Sequence, residues 1–225
     1  MIHESEWLSC LSGLSTWQPP SIPTLVIAPH PDDETLGAGG LIATLRARGV
    51  DVHVVAVTDG ENAYEDGVDL APVRQREQAE ALALLGVEPD QITRLHLTDS
   101  GLAGSEDLLL ALLLPLTSGE MHIIAPWTGD FHPDHEVCGR AAERVARQKQ
   151  ARLTSYFFWT WHRGKIDTLH GLPLVCFPIG EEQQRAKRSA LLCHRSQLEH
   201  ASGQPILPEY LLAPAYRPFE VYLPV

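Results

Sequence analysis

The stretch Thr24-Leu25-Val26-Ile27-Ala28-Pro29-His30-Pro31-Asp32-Asp33-Glu34, continued by Thr35-Leu36-Gly37-Ala38-Gly39-Gly40 and on to Arg48, decides the fold. Thr24 to Ala28 is a short apolar run, β-branched enough to be a strand buried on both faces. Leu36 to Arg48 reads as a helix, with Gly49 placed to end it. Outward from this unit the same alternation repeats. Strands are predicted at Val52 to Thr58, Ile92 to Leu97, Met121 to Ala125, Ser155 to Thr160 and Leu174 to Phe177. Helices are predicted at Pro72 to Leu85, Glu106 to Leu116, Asp134 to Gln150 and Glu181 to His194. Strands separated by helices of this length imply right-handed βαβ crossovers. The expected fold is therefore α/β: a Rossmann-like, mostly parallel sheet with helices on both faces. In such sheets the active site lies beyond the carboxyl ends of the strands.

The 225 residues suit one domain spanning 1–225, with 1–23 as an N-terminal arm ending in a Pro-rich turn. Hydrophobic residues make up 44% and charged residues 20%, and the formal net charge is -12. So acidic a chain lacks the basic footprint that phosphate binding needs, which argues against nucleic acid and anionic membranes as partners. Cys10, Cys138, Cys176 and Cys193 are widely spaced without a CxxC pair, and read as mostly buried free thiols. No secretory leader and no apolar stretch long enough for a membrane span are visible, so the expected location is cytoplasmic. A homo-oligomer is left open.

Two clusters carry chemistry. The first, His30-Pro31-Asp32-Asp33-Glu34, follows the first buried strand and opens a helix, where the helix N-terminus favours negative side chains. Helix capping alone is the simpler use of such carboxylates. It gives no reason, however, to crowd a histidine among them. The second cluster, His132-Pro133-Asp134-His135, follows the Met121 strand and its loop and opens the next helix. Both lie at strand carboxyl ends, so they can converge. His30, Asp33 and His135 would then offer two nitrogens and a carboxylate with an open fourth position, the pattern of a catalytic Zn2+ or another divalent metal. Such a site supplies hydroxide near neutral pH. Asp32 would serve as general base, and His132 would donate to the developing oxyanion. Most other histidines stand singly and read as structural; His162, among aromatics in Trp159-Thr160-Trp161-His162-Arg163, is a candidate pocket residue.

The two motifs, in this order and topology, resemble the PIG-L/LmbE-like zinc-dependent N-deacetylases, whose first motif usually reads AHPDDE. Thr58-Asp59-Gly60-Glu61, the helix carrying Arg74, Glu77, Ala81 and Leu85-Gly86, and Asp99-Ser100-Gly101 extend the likeness over roughly residues 24 to 145. The resemblance implies removal of an N-acetyl group from a small sugar-like substrate. It implies zinc on His30, Asp33 and His135, and catalysis by Asp32 and His132. It also implies substrate contacts from Arg74 and Asp99. Arg74 could instead pair with Glu77 or Glu80, and Asp99 could cap a turn. Some sugar deacetylases of the family carry a Gly-rich loop with Tyr before the second motif. Here the loop is Trp127-Thr128-Gly129-Asp130-Phe131, so a tyrosine-assisted step is not expected, and Asp130 is a candidate to orient His132 or a metal ligand.

The sequence admits other readings. A dinucleotide-binding module is disfavoured, because Gly37, Gly39 and Gly40 fall inside the helix and not in a G-x-G-x-x-G turn after the strand. A non-catalytic metal-binding relative would not need Asp32 or His132. A hydrolase of another small amide or carbamoyl group would use the same machinery. Its specificity would lie in the loops Asn62 to Asp69, Asp99 to Ser105 and Trp159 to Gly164.

Overall fold

The computed structural model describes residues 2–64, 68–200 and 203–225, so part of the Asn62 to Asp69 specificity loop lies outside the described residues. Chain order runs α1 (Glu4–Leu11), β1 (Ser15–Thr16), β2 (Thr24–Ala28), α2 (Asp33–Ala47), β3 (Val52–Thr58), α3 (Ala71–Leu84) and β4 (Ile92–Leu97). It continues with α4 (Glu106–Leu113), β5 (His122–Pro126), α5 (Pro133–Lys149), β6 (Arg152–Tyr156) and α6 (Thr160–Arg163). The last elements are β7 (Val175–Pro178), α7 (Glu181–Leu191), α8 (Arg195–Leu198), α9 (Glu209–Leu212) and β8 (Phe219–Pro224). They build an eight-stranded sheet of order β1-β7-β8-β6-β5-β2-β3-β4. All neighbouring strands are parallel except β8, which runs antiparallel to both β6 and β7.

The period of two along the strands sends side chains to two cores. Val26 and Ala28 join Leu41, Ile42, Leu45, Leu82 and Leu85 on the face covered by α2, α3 and α7. Leu25 and Ile27 join Leu109, Leu113, Val137, Ala141 and Val145 on the face covered by α4 and α5. This double burial is why β2 is wholly apolar and does not alternate. β2 and β5 are neighbours, yet the chain leaves β2 toward β3 and reaches β5 only after β4. The crevice beyond their carboxyl ends is the point where the winding reverses, the usual ligand position in such a sheet. Both histidine motifs begin there.

The structure departs from the sequence reading in several places. The strand expected at Ser155 to Thr160 is β6, ending at Tyr156, and the following residues turn into α6. The cause is distant: the Asp130 carboxylate accepts the backbone N–H groups of Phe158, Trp159 and Thr160, which withdraws them from any sheet ladder. The helix expected to reach Leu116 ends at Leu113, and Leu114–Leu116 follow as a 3₁₀ turn. Of the four cysteines, all free, only Cys138 is buried.

The N-terminal arm carries α1, which packs Trp7 edge-on against Trp161 and ties Glu4 to Arg217 through bonds of 2.7 and 2.8 Å. The Pro-rich C-terminus supplies β8. Its Glu220 is buried against Lys187 (2.7 Å) and accepts the Gly40 and Leu41 amides of α2 (2.7 and 2.9 Å). Gly37 on the same helix leaves room for the Tyr156 ring, which a Cβ would overlap. No helix among the described residues is long and apolar enough to cross a membrane.

Candidate active site

Asp32 sits between β2 and α2 with φ 147°, a backbone conformation that side chains rarely adopt. Strain of this kind persists only where surrounding contacts enforce it, and it concentrates at functional sites. Arg74 is one enforcer. Its Nη2 donates to the Pro31 carbonyl (3.0 Å) and to Asp32 Oδ2 (3.1 Å), while Nη1 donates to the Gly60 carbonyl (2.9 Å). Gly60, at φ 64°, must lack a side chain, because a Cβ would fall on the Arg74 guanidinium. The pairing of Arg74 with Glu77 or Glu80 does not occur; Glu77 instead accepts the Ser196 amide and hydroxyl.

The two motifs converge. His30, Asp33 and His135 each offer a ligand atom, all within 4.8 Å of one another, and His30, His132 and Asp134 form a second such group. His30 Nδ1 is 3.0 Å from Asp33 Oδ2, and its Nε2 lies 3.2 Å from Asp99 and 3.3 Å from Asp134. His135 is fully buried. Its Nε2 is 3.2 Å from Asp33 Oδ2 but makes no hydrogen bond. A buried imidazole nitrogen with no hydrogen-bond partner, facing a carboxylate and a second imidazole, suits a soft-to-borderline divalent cation such as zinc. The same crowding shows in the proton affinities. Burial works against protonating His135, but Asp33 and Asp130 outweigh it and push its pKa up to about 9. Burial likewise opposes the low pKa of Asp33, and His135 and His30 overcome it. A cluster that attracts protons this way is one in which a divalent cation can take their place.

Around this centre each group has a defined attachment. Asp130, fully buried, accepts His135 Nδ1–H (2.9 Å) and, from α6, the Thr160 amide (2.9 Å) and hydroxyl (2.6 Å). It therefore orients His135, not His132, and fixes the tautomer that leaves Nε2 free. His132 Nδ1 accepts the Asp134 amide (3.3 Å), which assigns its proton to Nε2, and its ring stacks on Trp159. Asp134, a residue the sequence reading left without a role, receives the Ser100 and Leu102 amides and so ties the Asp99 loop to the second motif. Asp99 accepts the Asn62 amide through Oδ2. Burial raises Asp32, Arg74 opposes the rise, and the net is a pKa of about 8. His162 does not line this cavity; it borders a separate crevice between α1, α6 and α9. The site cavity, about 240 Å³, is lined by His30, Asp32, Asp33, Arg74, Asp99 and His132. Asn62, Ser100, Trp159, Ile206 and Leu207 also line it, and no single-residue signal in the sequence marked the last two.

The chain is similar to known proteins in sequence and in fold. The PIG-L family profile, described as GlcNAc-PI de-N-acetylase, matches residues 25–146. The probable N-acetyl-alpha-D-glucosaminyl L-malate deacetylase 2 of Bacillus subtilis is 30% identical over 185 residues, covering 78% of this chain and 83% of its own length. The 1D-myo-inositol 2-acetamido-2-deoxy-alpha-D-glucopyranoside deacetylase of Mycobacterium sp. strain KMS is 31% identical over 165 residues, covering 60% of this chain and 53% of its own. In structure, the N,N'-diacetylchitobiose deacetylase of Pyrococcus horikoshii superposes with a TM-score of 0.66 at 24% identity, over 88% of this chain and 81% of that one, a likeness of fold. The profile spans more than half of the chain, from β2 through the second motif, and the chain belongs to the PIG-L family of de-N-acetylases, hydrolases of N-acetyl amide bonds.

Proposed function

We propose that this chain is a zinc-dependent N-deacetylase acting on N-acetylglucosamine-containing small conjugates, with His30, Asp33 and His135 as the metal ligands. The observation that carries the reading is the convergence of these three side chains around the free His135 Nε2, beside a strained Asp32, at the floor of a cavity that His30, Asp32 and Asp33 line. A divalent metal there supplies Lewis-acid polarisation of the scissile carbonyl and acidifies water. The remaining work falls to the chain's own groups. Asp32 accepts a proton from the attacking water and, once protonated, returns it to the departing amine. Arg74 holds the Asp32 carboxylate at its station and limits how far burial raises its proton affinity. His132 donates Nε2–H to the oxygen that gains charge, with its ring fixed between the Asp134 amide and the Trp159 face. Asp130 keeps His135 in the ligating tautomer, and Asp99 meets substrate hydroxyls.

The test pairs metal analysis with amine release from N-acetylglucosaminides. Asp32→Asn should retain the metal and lose about 10²- to 10⁴-fold in turnover. Full activity in that variant, or a purified protein that binds no divalent metal, would overturn the reading.

A further inference from the structure

The cavity beside the proposed metal centre has one polar and one apolar side. Trp159, Ile206 and Leu207 form the apolar side; Asn62, Asp99 and Ser100 face them. The polar side presents the Asp99 carboxylate and the Asn62 amide. Asn62 donates one side-chain N–H to the Asp99 carbonyl (2.8 Å), which leaves its side-chain oxygen and its second N–H. The Ser100 amide is used on Asp134, and its hydroxyl lies 3.2 Å from Asp99 Oδ1. Asp99 is acceptor-only when ionised.

Positive charge is scarce here. Among the described lining residues, Arg74 is the only Lys or Arg; its two Nη groups already donate to three protein oxygens, one of them on Asp32, and its Nε is buried without a hydrogen-bond partner. The described parts of the segments beside it, 59–64, 99–105 and 203–209, contain no Lys or Arg; they contain Asp59, Glu61, Asp99 and Glu209. Arg163 lies 3.8 Å over the Trp159 ring and donates to the Phe131 carbonyl, and it is not among the lining residues. A divalent cation would be balanced by its own ligand Asp33 together with Asp99, leaving no surplus positive charge for a ligand anion.

We infer that the conjugate this site accepts is uncharged: an N-acyl amino sugar whose hydroxyls donate to Asp99 and Asn62, whose apolar ring face lies on Trp159 and Leu207, and whose attached group carries no carboxylate or phosphate. A hydroxyl matches an acceptor wall because it can donate. A carboxylate cannot, and it would lose its hydration to face the Asp99 carboxylate with no free Lys or Arg among the described lining residues to pair with. Selection against acidic conjugates is thus built from repulsion and missing cations as well as from attraction to sugar hydroxyls. The inference rests on the deacetylase reading, and it separates this chain from relatives whose conjugates are acidic.

The experiment compares the zinc-loaded protein on two N-acetylglucosaminides, one with a neutral cyclitol at the anomeric carbon and one with a hydroxydicarboxylic acid there. The expected kcat/KM ratio favours the neutral conjugate by about 30-fold or more, the effect of setting like charges against each other at a binding surface. Raising salt from about 20 to about 300 mM should increase kcat/KM for the dicarboxylate and leave the neutral conjugate flat, because screening relieves only the repulsive case. Asp99→Asn should narrow the ratio by about tenfold even where both rates fall, since it removes the repelling charge. Equal or better turnover of the dicarboxylate, or a rate for it that falls with salt, overturns the inference and leaves the deacetylase reading standing. Amine release from neither conjugate overturns the deacetylase reading itself, and this inference with it.

Discussion

Asp130→Asn tests the link between the hydrogen-bond network and the metal centre. Both Asp130 oxygens act only as acceptors: Oδ1 takes the Thr160 amide and hydroxyl, and Oδ2 takes His135 Nδ1–H and the Trp159 amide, with the Phe158 amide between them. Asparagine must turn one of these positions into a donor. Placing its NH2 at Oδ1 would set it against the Thr160 amide at 2.9 Å and give up the 2.6 Å hydroxyl bond. Placing it at Oδ2 loses less, because His135 can respond by moving its proton. His135 Nδ1 then accepts, and Nε2 carries the hydrogen and cannot ligate. Recovering the ligating tautomer costs a hydrogen bond, and losses of about 10- to 100-fold in metal affinity are typical for groups that orient a ligand, or about 1.4 to 2.7 kcal/mol. The metal-free variant should also lose about 2 to 4 kcal/mol of stability, since two or more charge-assisted bonds at a fully buried group are weakened. Zinc competition against a chromophoric chelator reads the first quantity and urea unfolding of the metal-free protein reads the second. A variant that loses stability but binds zinc as tightly as the parent would show that Asp130 merely braces α6, and the tautomer reasoning would be refuted.

Two further outcomes concern stability alone, and a third returns to turnover. Lys187→Met strands Glu220 as a buried charge with only the Gly40 and Leu41 amides and the Tyr222 hydroxyl for company. The cost should be about 3 to 5 kcal/mol. With a urea slope near 3 kcal/mol/M, that lowers the unfolding midpoint by about 1 M or more. An unchanged midpoint would remove this pair from the account of the fold. Burial, with Arg152 adding to it, pushes His122 down to about 4, so the folded protein keeps this residue neutral well below the pH at which the unfolded chain protonates it. Its contribution is present in full above about pH 6.5 and is lost as pH falls toward 4, up to about 3 kcal/mol in all. His122→Gln should flatten that part of the stability–pH curve, measured by urea unfolding between pH 7 and 4. Gly60→Ala should dislodge Arg74 from Asp32 and cost at least about tenfold in turnover, while the strain at its positive φ takes only about 1 to 2 kcal/mol from stability. Undiminished turnover in Gly60→Ala would mean that the Arg74–Asp32 contact is dispensable.

Much of this protein was legible in the one-dimensional pattern. Unbroken apolar runs such as Thr24 to Ala28, alternating with helical segments, specify a parallel sheet covered on both faces, because only that architecture buries both sides of a strand. The two histidine motifs follow β2 and β5, and a crossover topology places such loops at one end of the sheet. What only the tertiary structure decided were the partnerships. Asp130 reads identically in sequence whether it serves His132 or His135, and the answer came from where α6 presents its amides. Those same amides ended β6 at Tyr156, where strand propensity alone would have carried it on through Phe158 and Trp159. Arg74 found Asp32 instead of its helical neighbours, and the Pro-rich C-terminus became β8 between β6 and β7. Ile206 and Leu207 reached the cavity from a segment with no motif of its own. The division has a physical cause. Hydrophobic periodicity is a local property that reports which face of an element is buried. The role of a carboxylate, a guanidinium or an apolar wall is set by which groups converge on it from tens of residues away, and only the folded chain fixes that.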